Sequence, residues 1–99
     1  VKVKFTPSAR QQFLDGITYI QRDKPSAARN FRQRTERVLQ RLEDYPLSGR
    51  LIPEFPELPH REVIISPYRF FYRVEKKTVW IVAVWHSAQD LDPTTPLAN

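Results

Sequence analysis

Three prolines divide the first half of this chain into segments with few ways to fold. Pro7, Pro25 and Pro46 each mark a place where a helix can start or must stop, and the apolar residues between them keep helical spacing. Thr6-Pro7 reads as a helix start. The threonine side chain can accept from a free N–H of the first turn, and proline at the first helical position has no N–H to lose. Beyond it Ala9, Phe13, Ile17 and Ile20 share one face, with Gln11, Asp15, Thr18 and Arg22 opposite. Gly16 weakens this helix by up to ~1 kcal/mol relative to alanine and is read as tolerated. Asp23-Lys24-Pro25-Ser26 is the second boundary, and Ala28, Phe31, Thr35, Val38, Leu39 and Leu42 form the next buried stripe. That helix must end near Tyr45, because a residue before proline is pushed out of helical geometry. Two amphipathic helices joined by so short a turn predict an antiparallel hairpin.

Outside the hairpin the period changes from helical to alternating. Val1, Val3 and Phe5 alternate with Lys2 and Lys4, the signature of a strand with one polar face. Residues 46–59 carry Pro46, Gly49, Pro53, Pro56 and Pro59. They predict a loop, pinned to the core by Leu51, Ile52 and Phe55 and long enough to suggest a functional role. Three strands follow over residues 60–65, 68–74 and 78–85, with turns at Ser66-Pro67 and Glu75-Lys76-Lys77, so a meander is expected. Residues 90–99 hold two prolines and little to bury, and are expected to form a loose tail. The order is β-α-α-β-β-β in one domain spanning residues 1–99. A chain of this length buries about 65% of its unfolded surface, enough for one sheet on two helices. Phe13, Phe31, Leu42, Tyr72 and Ile81 are the expected core.

Composition excludes several kinds of chemistry. There is no cysteine, hence no disulfide or thiolate metal site, and a reducing cytoplasm is compatible. No apolar run approaches the ~20 residues of a membrane helix. Two glycines leave no phosphate cradle, and His60 and His86 sit on different strands, so neither a cofactor nor a metal is expected. The net charge of +5 is uneven: residues 1–50 hold 11 Lys+Arg against 5 Asp+Glu, and the remainder 5 against 6. A basic helical half suits nucleic acid, the ribosome or an acidic protein. Arg34, Arg37 and Arg41 follow i, i+3, i+7 spacing beside the second helix's apolar stripe. They would repel one another without an acidic partner, although a solvated helix face reads the same way. In the strand 68–74, Tyr68, Phe70, Tyr72 and Val74 are expected toward the helices, and Arg69, Phe71 and Arg73 on the other face. Arg61 joins the arginines if the register allows. Guanidiniums on a face free of helices can grip phosphate or carboxylate, or simply be solvated and paired with Glu62 or Glu75.

Taken in order, these residues resemble the ParE branch of the RelE/ParE toxin superfamily over almost the whole chain. The matching pieces are Pro25, Ala27, Ala28 and Phe31; then Leu42, Pro46, Gly49-Arg50 and Pro53-Glu54. Arg61-Glu62 precedes the most specific piece, Tyr68-Arg69-Phe70-Phe71-Tyr72-Arg73-Val74, and Val84-Trp85-His86 with Asp90 closes the pattern. The resemblance implies an α+β fold, a helical hairpin packed on one face of a curved, mostly antiparallel four-stranded sheet. It implies the toxin of a type II toxin–antitoxin or plasmid stabilization pair, acting in the cytoplasm. An antitoxin with an acidic flexible segment would neutralise it, meeting Arg34, Arg37 and Arg41.

For ParE-like members the implied target is DNA gyrase, with Arg61, Arg69, Arg73 and His86 as the expected contacts. RelE-like members resemble ribosome-dependent mRNA endonucleases, which need a base, an acid and cations around the scissile phosphate. Here the positions of their lysines fall on His60 and Glu62, that of a late arginine near Gln89, and no tyrosine follows Tyr72. Glu62, Arg69 and His86 form the alternative catalytic set of a nuclease. A toxin that retains only antitoxin binding is the third reading.

Overall fold

The computed structural model describes residues 1–88; the expected tail, Gln89 and Asp90 lie outside them. Strand β1 (Lys2–Phe5) leads into helix α1 (Pro7–Asp23), which is followed by α2 (Pro25–Asp44). Both helices begin on the prolines that the sequence marks. Thr6 caps α1, its Oγ1 accepting from the Ala9 N–H at 3.3 Å. The α2 stripe buries Ala28, Phe31, Thr35 and Leu42, and the chain leaves the helix at Tyr45, just before Pro46.

Four more strands follow: β2 (Arg50–Leu51), β3 (Arg61–Ile65), β4 (Tyr68–Glu75) and β5 (Thr78–His86). They form one sheet in the order β1-β5-β4-β3-β2, antiparallel except for the parallel β1–β5 pair. The sheet has five strands and not the expected four. The additional strand is two residues long, within the proline-rich loop, and exists through its pairing with Arg61 and Glu62.

The helices cover one sheet face. Phe31, Leu42, Phe70, Tyr72 and Ile81 are buried there, with Phe13 half-buried beside them. Phe13 stacks on Phe5 at 5.4 Å and meets Phe70 edge-on at 5.8 Å, arrangements that aromatic quadrupoles favour. Val74, expected in this core, is 36% exposed at the end of β4.

The opposite face is also covered, contrary to expectation. Ile52, Phe71, Val82 and Ala83 form a second core, flanked by half-buried Phe55, Trp80 and Trp85. The loop over residues 46–59 supplies Ile52 and Phe55 and so roofs this face, while Leu51 stays exposed. Loop closure depends on Gly49. A Cβ there would stand 2.5 Å from the Tyr72 hydroxyl and 2.7 Å from the Glu62 carbonyl oxygen. The Gly49 N–H instead donates to the Tyr72 hydroxyl at 2.9 Å.

A β-bulge sets the phase of β5. Phe71 pairs with Ala83 but Tyr72 with Ile81, leaving Val82 as an extra residue. Ile81 and Val84 therefore both face the helices, while Val82 and Ala83 both face the roofing loop.

Candidate functional site

Residues 69 and 62 lie on the loop-covered face, because Arg69 pairs with Ile64 and Glu62 with Phe71, and side chains alternate along a strand. They meet beneath the loop. Arg69 is 8% exposed and Glu62 1%. The Arg69 Nε donates to Glu62 Oε1 at 2.7 Å, and its two terminal nitrogens donate to Glu54 at 2.8 Å each. Glu62 Oε2 accepts from the Arg50 Nε at 2.6 Å. The result is a chain of alternating charges, Arg50–Glu62–Arg69–Glu54, with two members buried. Such a set persists only where nearly every polar atom is matched. The bidentate hydrogen bond from Arg69 holds the Glu54 carboxyl at about 2, against a usual 4.5, and the carboxylates in turn push the Arg69 guanidinium further toward its charged form.

This corrects the expectation for Arg69. It does not lie on an open face but ties the roofing loop to the sheet, with Phe71 beneath its guanidinium at 5.0 Å. Arg61 does not join Arg69 and Arg73. The register sets it opposite Tyr72, on the helix-covered face, where its Nη1 donates to the Gly49 carbonyl at 2.8 Å. Arg73 is half-buried on the loop-covered face, 6.0 Å from the Trp80 ring and 3.8 Å from the Glu75 carboxylate. His60 is buried near it, both ring nitrogens lacking a hydrogen bond. Burial first, and the Arg73 charge second, lower its pKa from 6.5.

His86 is on the other side of the sheet. It pairs with Tyr68 and meets its ring edge-on at 5.4 Å, and its Nδ1 accepts from the Ala88 N–H. Tyr68 belongs to the helix-side core. Glu62 and Arg69 are therefore separated from His86 by the sheet, and the three do not converge on one phosphate-sized site.

The α2 arginines divide into two kinds. Arg37 and Arg41 are exposed. Arg34 is not a free charge: its Nε donates to Asn30 and its Nη2 to the Ser66 carbonyl at 2.9 Å, fastening α2 to the β3–β4 turn. Arg41 lines a groove between α2 and β3 together with Val38, Arg50, Val63 and Ile64. Along this groove β2 pairs only with Arg61 and Glu62. Among the described residues, the edge of β3 from Val63 to Ile65 has no strand beside it, and Ile64 is 53% exposed. A basic, partly apolar groove beside an open strand edge suits an acidic extended segment. No group of His, Asp or Glu among the described residues is placed to hold a metal.

The family model for the ParE toxin of the type II toxin–antitoxin system parDE matches residues 3–91. The chain belongs to this family. No curated protein matches it closely enough to add a relative. Membership in the ParE toxin family carries with it a protein antitoxin as partner. No helix among the described residues is long and apolar enough to cross a membrane. Within this ParE toxin, sequence reasoning missed Arg50 and Glu54 as site residues. The available signal was their place in the Gly49-Arg50 and Pro53-Glu54 pieces of the family pattern, which set charged residues in a loop that must close on Glu62 and Arg69.

Proposed function

We propose that this ParE toxin acts in the cytoplasm by binding, inhibiting DNA gyrase, and that an antitoxin's acidic segment neutralises it. The observation that carries the reading is the separation of Glu62 and Arg69 from His86. A buried carboxylate held between two guanidiniums has no free lone pair aimed at solvent and is a poor general base. The histidine that would complete an acid–base pair opens on the opposite face. A binding toxin needs no such convergence. Arg61, Arg73 and His86 keep accessible surface and are the proposed target contacts, while Arg69 contributes by holding the loop. The antitoxin segment is placed in the α2–β3 groove, with Arg37 and Arg41 meeting its carboxylates and the β3 edge pairing with its backbone.

The test compares gyrase supercoiling with ribosome-programmed mRNA cleavage, using wild type and His86→Gln. His86 is the better probe, because Glu62→Gln also disturbs the buried ion pairs. Inhibited supercoiling, retained within a few-fold in His86→Gln, is the expected result. Cleavage of mRNA that falls about 100-fold in His86→Gln, the scale for losing a general acid or base, with gyrase untouched, would overturn it. Activity in neither assay would favour a toxin that retains only antitoxin binding.

A further inference from the structure

A cleft of about 630 Å³ opens between α1 and the Tyr68–His86 end of the sheet. Its composition is opposite to that of the molecule. The chain has 16 Lys+Arg, yet none lines this cleft; its walls include Gln12, Asp15, Tyr19, Tyr68 and His86, over a floor at Gly16. Gly16 is what leaves the space. A Cβ there would stand 3.0 Å from Tyr68 Cζ and 3.2 Å from its hydroxyl oxygen. The phenol lies against bare backbone, with its head group turned into the cleft.

Among the described residues lining the cleft, Asp15 is the one formal charge, and the two phenol hydroxyls can accept as well as donate. Tyr68 is only 7% exposed, and its hydroxyl makes no hydrogen bond among the described residues. Asp15 is exposed, and one of its oxygens accepts from Gln11 at 2.8 Å. The Gln12 carbonyl is occupied by the Val84 N–H at 2.8 Å, which fixes that wall. Tyr19, 66% exposed, stands at the rim. The exposed Tyr19 ring face, the Tyr68 hydroxyl oxygen and the Asp15 carboxylate attract a cation and repel an anion. Past Tyr19 the surface continues into a second depression lined by Ile20, Arg22, Asp23 and Pro67. That extension offers apolar contact and one charge of each sign, Arg22 and Asp23, which suits a polypeptide more than a small free cation.

We propose that this cleft receives an arginine or lysine side chain of a protein partner, lying on the Tyr19 ring, donating to the Tyr68 hydroxyl and paired with Asp15. The site is distinct from the basic α2–β3 groove, selects the opposite charge, and does not depend on the gyrase reading. The test is an amide-resolved NMR titration of the full chain with N-acetyl-arginine amide. Saturable shifts are expected at Gly16, Tyr19, Tyr68 and His86, with a dissociation constant on the order of millimolar for a single side chain. Binding should weaken about two- to fivefold in Asp15→Asn and in Tyr19→Ala, the scale of one exposed cation–π or ionic contact. Both residues are exposed, so the amide spectrum away from the cleft should be unchanged. No saturable shift, an equal response to N-acetyl-glutamate amide, or unaltered affinity in both variants would overturn the proposal. Tighter binding of spermidine than of the arginine probe would also overturn it, assigning the cleft to a free polyamine.

Discussion

Glu62 offers the sharpest test of how the roofing loop is held. Its two oxygens serve different partners: Oε1 meets Arg69, which is buried, and Oε2 meets Arg50, whose side chain is 59% exposed. The two contacts should therefore differ in strength. Arg50→Ala removes a partner that water can largely replace, and should cost under about 1 kcal/mol, as exposed ion pairs do. Glu62→Gln keeps an acceptor for Arg69 but loses its charge, and turns an N–H toward Arg50. The cost should be about 1.5–3 kcal/mol, the range for a hydrogen bond to a charged group. Glu62→Met removes both acceptors and leaves the Arg69 Nε buried without one. That should cost about 3–5 kcal/mol, a large part of the roughly 5–15 kcal/mol that holds a domain of this size together. Urea unfolding followed by circular dichroism gives all three values without adding salt that would screen the pairs. The expected order is Arg50→Ala, then Glu62→Gln, then Glu62→Met. An inverted order, or a loss below about 1 kcal/mol for Glu62→Met, would refute the view that this network fastens the loop.

Phe31→Ala should cost about 3–5 kcal/mol in the same assay, since the ring is buried against Tyr68 and Phe70; a loss below ~1 kcal/mol would mean that α2 is rotated. Acid should destabilise the fold in two steps. His60 has its pKa lowered by burial, so its contribution is intact above about 6.5 and declines as pH falls below that value, where the unfolded chain takes up the proton more readily. Glu54, lowered by its hydrogen bonds from Arg69, contributes above 4.5 and loses that contribution as pH falls toward about 2. Stability measured against pH should flatten over the lower window in Glu54→Gln, and an unchanged slope there would contradict the assignment. Reversing Arg37 and Arg41 to glutamate should weaken the antitoxin complex and lessen its salt dependence; calorimetry at two ionic strengths showing neither change would remove both arginines from the interface.

The helical half was legible because its signals are local. Pro7, Pro25 and Pro46 act on their own neighbours, and the α2 stripe repeats within a few turns. The roofing loop was not legible, because its fold is decided by partners distant along the chain. Glu54 reaches Arg69 across 15 positions, and Arg50 reaches Glu62 across 12. Nothing in Pro53-Glu54-Phe55-Pro56 announces that partner. The arginines of β4 were placed on the correct face by alternation, but alternation does not tell what lies over that face. In β5 the run Val79 to Trp85 is apolar throughout, so its polar–apolar pattern gives no sign of a change of phase.

That change of phase has a consequence for how related chains are compared. Strict alternation from Ile81 would turn His86 toward the side of Glu62 and Arg69; the extra residue at Val82 turns it away. Straightening the bulge while keeping all of its residues would leave every recognisable motif of the chain in place and in order, yet carry the histidine through the sheet. Two chains aligned column by column could thus share the same glutamate, arginine and histidine while one gathers them around a single point and the other keeps them apart. In such a comparison, whether the strand keeps the bulge at Val82 is more informative than the identities of the three residues.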